Sequence, residues 1–117
     1  MTDRRLEGKV DIVTGAGGGM GRGYALHLAK LGADVAIFDK DLNSGKQYGE
    51  YAADSVAQEI RDLGQRVFAV ECDLSSRADA TAAVEQAARE LGSIDILVNN
   101  AGGAITPAAR SHATVVP

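Results

Sequence analysis

The densest chemical signal in these 117 residues is the run Thr14-Gly15-Ala16-Gly17-Gly18-Gly19-Met20-Gly21, with five glycines inside seven positions. Glycine tolerates tight turning and positive φ, and without Cβ atoms a pyrophosphate approaches backbone N–H groups closely. Where such a loop opens a helix, the positive end of the helix dipole adds to the attraction. Gly15, Gly17, Gly18, Gly19, Met20 and Gly21 are therefore candidate phosphate-binding residues, with Gly21 also allowing the helix to pack closely. The spacing is not G-x-G-x-x-G, because position 20 is Met and position 22 is Arg. Nor is it a Walker A loop, since neither Gly8-Lys9 nor Gly45-Lys46 has the required hydroxyl residue and upstream glycine. It fits T-G-x-x-x-G-x-G. The second signal is Asp39, 18 residues beyond Gly21. An acid there can accept hydrogen bonds from both hydroxyls of a ribose and repels a 2′-phosphate, which favours NAD over NADP. Lys40 beside it works against that discrimination.

These residues need elements to hold them. Val10 to Thr14 is a short β-branched run that stops at Gly15, a strand. Residues 19–31 place Ala25, Leu28 and Ala29 at helical spacing before Gly32. Asp34 to Asp39 reads as a second strand. A polar loop covers Asp41 to Tyr51, and a helix over 52–63 has Val56, Ile60 and Leu63 inward and Gly64 as its stop. Residues 67–71 form a third strand. Ser76, three places before Asp79, resembles a capping box that opens a helix with Ala80, Val84, Ala87, Ala88 and Leu91 inward. Asp95 to Val98 is the fourth strand. Alternating strands and helices of this length predict an α/β fold: a Rossmann-like, doubly wound parallel sheet of order 3-2-1-4, partial, with helices on both faces. Asp11 conflicts with a buried central strand, because an unpaired carboxylate there is costly. It is expected near the solvent end of the strand.

With these elements, the sequence resembles the short-chain dehydrogenase/reductase family through four motifs in order. They are Thr14-Gly15-x-x-x-Gly19-x-Gly21, Asp39, Cys72-Asp73-Leu74 after the third strand, and Asn99-Asn100-Ala101-Gly102 after the fourth. The likeness covers about residues 6–103, beginning with Leu6-x-Gly8-Lys9-Val10. It implies that Asp73 hydrogen-bonds the adenine amino group, with Leu74 in backbone contact beside it. Asn100, Ala101 and Gly102 would line the adenosine ribose, while Asn99 stabilises the sheet. NADP-specific members often carry a basic residue where Gly18 stands, so its absence agrees with Asp39. The loop from Asp41 to Tyr51 looks long for the family. The resemblance also implies hydride transfer between an alcohol and a ketone, run by a Tyr, a Lys four residues later and a Ser, all after a fifth strand. Tyr24, Tyr48 and Tyr51 are followed at the fourth place by Leu28, Ala52 and Ser55, so these residues contain no Tyr-x-x-x-Lys.

The expected organisation is a dinucleotide-binding half-domain over 1–103 and a loop or tail over 104–117, consistent with a truncated continuation. The expected function is the cofactor-binding part of such an oxidoreductase, inactive alone. A non-catalytic NAD-binding or interaction module is the alternative. NAD is the expected cofactor, with NADP less favoured, and no metal site is expected. Ser111 and His112 are adjacent with no acid nearby, which reads as solvated loop rather than nucleophile and base. Cys72 reads as a small buried residue and His27 as a surface one. Twelve basic and 16 acidic residues, the basic ones scattered, argue against nucleic acid as a partner. No run approaches the length of a membrane span, and residues 1–8 lack the apolar core of a signal peptide, so the expected location is cytoplasmic. The family's usual assembly helices come later than these elements, so no oligomer is assumed.

Overall fold

The computed structural model describes residues 3–101. Gly102, Ser111, His112 and the tail over 104–117 lie outside the described residues. Four strands, β1 (Val10–Thr14), β2 (Asp34–Asp39), β3 (Val67–Glu71) and β4 (Ile96–Val98), form one parallel sheet in the order β3-β2-β1-β4. Three helices connect them: α1 (Gly19–Lys30), α2 (Val56–Asp62) and α3 (Arg77–Leu91). The expected order 3-2-1-4 is the observed one.

Both faces of the sheet are covered, which explains why β1 and β2 read as continuous apolar runs rather than alternating ones. On one face Val13, Val35 and Ile37 pack with Ala25 and Ala29 of α1 and Val56 and Ile60 of α2. On the other, Val10, Ile12, Ala36 and Phe38 pack with Ala83, Ala87 and Leu91 of α3. Small residues at the helix contacts let the backbones approach the sheet closely. Among the described residues, no helix is long and apolar enough to cross a membrane.

Three expectations need correction. Helix α2 begins at Val56 rather than residue 52, because Ser55 is extended and its hydroxyl accepts the Gln58 N–H as an N-cap. Its buried set is Val56, Ala57, Glu59 and Ile60. Leu63 follows the helix and is 38% exposed. In α3 the inward line is Ala83, Ala87 and Leu91, while Val84 is exposed. Helix α3 sits over β3 and β2. One residue of helix turns a side chain by ~100°, so seating Ala83 on the sheet points Val84 away. Asp11 is not at a solvent end. It is 0% exposed, lies in register between Val35 and Ile96, and neither carboxyl oxygen has a hydrogen-bond partner.

Candidate functional site

The C-terminal ends of the four strands open onto one cleft of about 720 Å³, lined by Gly15, Gly18, Met20, Asp39, Lys40, Cys72, Asp73, Leu74, Ser75, Asn100 and Ala101. A parallel sheet makes this cleft where its strand order reverses, because the connections from β1 and β3 leave in opposite directions. Of the residues singled out from sequence, Gly15, Gly18, Met20, Asp39, Asp73, Leu74, Asn100 and Ala101 line it.

Gly17, Gly19 and Gly21 do other work around it. A Cβ on Gly17 would meet the Asp41 carbonyl oxygen at 2.5 Å and Ser44 Oγ at 2.8 Å, so Gly17 makes room for the segment after β2. Gly21 packs α1 against the Gly15 carbonyl and Asn100, as close helix packing requires. Gly19, the first residue of α1, has φ 57, which a side chain would oppose. Gly18 is the N-cap of α1 without a side-chain cap, and the first turn of α1 holds no acid. The N–H groups of that turn have no partner from the helix itself.

Asp39 closes β2, and both its oxygens are engaged by backbone. The Gly17 N–H donates to Oδ2 at 2.8 Å and the Asp41 N–H to Oδ1 at 3.0 Å. A carboxylate has about four acceptor positions, so two remain for a ligand. Asp73 accepts from the Ser75 hydroxyl at 2.6 Å and the Ser75 N–H at 2.9 Å. Those bonds, with Lys40 nearby, hold its carboxyl below the usual range. Burial pushes the Cys72 thiol up, and the carboxylates of Asp79, Asp39 and Asp73 push it further, so it is a neutral wall of the cleft.

Thr14 is a positioning residue that sequence reasoning passed over within its own motif. Its Oγ1 accepts the N–H groups of both Asn100 and Ala101 at 2.8 Å, fixing the segment after β4 against the glycine loop. Its place at the end of a strand, just before the glycines, was the available signal. The segment Asp41 to Tyr51 also contributes, although its sequence had no readable role. It contains a 3-10 turn, Lys46–Tyr48, and folds onto the glycine loop. The Gly45 N–H donates to the Gly17 carbonyl at 3.0 Å. The Tyr51 hydroxyl donates its one proton to the Gly17 carbonyl, with the Leu42 carbonyl as a second acceptor within reach at 3.1 Å, and accepts the Gly45 N–H. Burial, then the carboxylates of Glu50, Asp41 and Asp39, push the Tyr51 phenol up, so it stays protonated. Nearby, Arg22 of α1 makes a two-pronged pair with Glu59 of α2, with Nη2–Oε2 at 2.5 Å.

These features fit a dinucleotide. The cleft runs from the start of a helix that has no N-cap side chain or first-turn acid of its own, past a strand-end carboxylate with free acceptor positions, to a second, half-buried carboxylate beside an apolar Leu74. Among the described residues, no group of three or more His, Cys, Asp or Glu could hold a metal ion.

Known proteins share this fold. Residues 9–115 match the model of the family described as short chain dehydrogenase. The chain is 45% identical over 121 residues to cyclohexanol dehydrogenase of Rhodococcus sp. (strain TK6), covering 99% of this chain and 45% of that protein. It superposes on carveol dehydrogenase from Mycobacterium avium in complex with NAD with TM-score 0.70 and 30% identity, over 84% of this chain and 37% of that one. A 3-ketoacyl-(acyl-carrier-protein) reductase from Brucella melitensis, complexed with NADH, gives TM-score 0.67 and 48% identity, over 83% and 36% of the two chains. The chain thus spans less than half the length of these relatives. The glycine loop, the order of the four strands and the family match together place this chain in the short-chain dehydrogenase family.

Proposed function

We propose that these residues form the dinucleotide-binding part of an oxidoreductase, with NAD preferred over NADP. The observation that carries this reading is the convergence of the glycine loop, Asp39, Asp73 with Leu74, and Asn100 with Ala101 on one cleft at the C-terminal edge of the sheet. In this reading the backbone around Gly18 and Met20 holds the phosphates, and Asp39 accepts from the adenosine ribose. Asp73 and Leu74 meet the adenine, and Asn100, Ala101 and Gly102 flank the ribose. NAD complexes among the similar structures support the cofactor class. The preference for NAD rests on the Asp39 charge, against which Lys40 in the same cleft acts.

The parent reaction is interconversion of an alcohol and a ketone, for which the nicotinamide supplies the hydride acceptor or donor. The contribution of these residues is to bind and orient that group. With no Tyr-x-x-x-Lys among the 117 residues, they do not run the chemistry by themselves. Calorimetric titration with NAD and NADP tests the reading. NAD should bind more tightly, and Asp39→Asn should weaken NAD and narrow the preference by about tenfold through loss of one charge. Equal affinities for the two dinucleotides in the unaltered protein would remove the case for NAD, and no binding of either would remove the function.

A further inference from the structure

The Asp39 carboxylate lines the cleft, and two backbone N–H groups aim it: that of Gly17 at Oδ2 and that of Asp41 at Oδ1. One hydroxyl from outside the cleft reaches the chain next to both donors. Tyr51 donates to the carbonyl of Gly17 itself and lies 3.1 Å from the carbonyl of Leu42, the residue after Asp41. It also accepts the Gly45 N–H at 3.2 Å, a group shared with the same Gly17 carbonyl at 3.0 Å.

Gly17 depends on such contacts. With no side chain of its own, its backbone is held only by what it touches. Its N–H is engaged by Asp39 and its carbonyl by Tyr51 and Gly45, so any rotation of this residue moves the donor that fixes Asp39 Oδ2. The fit is close, since a Cβ on Gly17 would meet Asp39 Oδ2 at 2.9 Å. The Tyr51 ring is anchored separately, packed against the core on the α1 and α2 face. A neighbouring bond, from the Gly19 N–H to Glu50 Oε1 at 2.7 Å, ties the same segment to the start of α1.

We propose that Tyr51 is a positioning residue for ribose recognition: its hydroxyl fixes Gly17 and the segment after β2, so that the Asp39 carboxylate is preset to accept the adenosine hydroxyls. Tyr51 does not line the cleft and acts through Asp39. Without the hydroxyl, the chain holds this arrangement for a smaller fraction of the time, and apparent affinity falls by that fraction. The proposal rests on the reading of the cleft as a dinucleotide site.

The test is calorimetric titration of the unaltered protein and Y51F with NAD, ADP and 2′,3′-dideoxy-ADP, the last lacking only the ribose hydroxyls. Phenylalanine keeps the ring packing, and circular dichroism checks that the variant is folded. Y51F should weaken NAD and ADP by about fivefold, the scale of one intramolecular hydrogen bond, and leave dideoxy-ADP unchanged. An equal loss for ADP and dideoxy-ADP overturns the proposal, because Tyr51 would then support the glycine loop as a whole rather than Asp39. Unchanged ADP binding in folded Y51F also overturns it, and both outcomes leave the cofactor site standing. A Y51F chain that does not fold makes Tyr51 a stability residue and overturns the proposal as well. Absence of NAD and ADP binding in the unaltered protein overturns both the proposal and the site.

Discussion

At the scale of single residues, Asp11 is the most costly side chain in the described structure. Its burial without a partner pushes the carboxyl from 3.8 up to about 7. Below pH ~3 the group is protonated whether the chain is folded or not, and it adds no pH dependence. As pH rises from there toward 7, the unfolded chain releases the proton while the folded chain retains it, so stability falls. Above about 7 both forms are ionised and the penalty is constant, on the order of 4 kcal/mol for a shift of this size. Asp11→Val removes the carboxyl with a side chain matching Val35 beside it. Thermal denaturation should show the variant more stable at pH 8, with the gain shrinking progressively toward pH 4. Parallel stability profiles for the two proteins between those pH values would mean that Asp11 is not buried as described.

Among the elements, α2 and the segment before it depend most on local polar contacts. Helix α2 has seven residues, too short to persist without packing and capping. Val56 and Ile60 supply the packing, the Arg22–Glu59 pair joins it to α1, and Ser55 supplies the cap. Ser55→Ala leaves the Gln58 N–H without this acceptor and should lower stability by about 1 kcal/mol. Chemical denaturation measures this through a lower midpoint with an unchanged slope. The segment Asp41 to Tyr51 carries few apolar side chains, so its conformation depends on hydrogen bonds to Gly17, Gly19 and Asp39 rather than on a core of its own.

At the scale of the whole molecule, the two faces are unequally finished. The α1 and α2 face packs against β1 and β2, and on the other face α3 packs against residues of β1, β2 and β3. Leu97 of β4, beside the buried Ile12 in register, is 62% exposed. The cleft gathers the residues proposed to meet phosphate, ribose and adenine, but the three tyrosines stand on or before the segments preceding α2, and none is followed at the fourth place by Lys. Cofactor binding without turnover is the expected behaviour of these 117 residues. Incubation with NAD and a panel of secondary alcohols should give no NADH absorbance at any pH between 6 and 10, and clear turnover would overturn this expectation.

The sequence by itself determined the element order, the parallel sheet and most of the cleft. β-branched runs and helical spacing are local, and the glycine loop, Asp39, Asp73 and Asn100 all stand at strand ends that a parallel sheet brings to one edge. The limits of α2, the inward line of α3 and the burial of Asp11 were not legible. They depend on which helix covers which strands, and sequence periodicity leaves a helix free to rotate by a residue. The role of Glu50 and Tyr51 was equally hidden. Their polar segment has no periodicity to read, and only the tertiary structure, by bringing residue 50 beside residue 19, decided that a carboxylate occupies the start of α1.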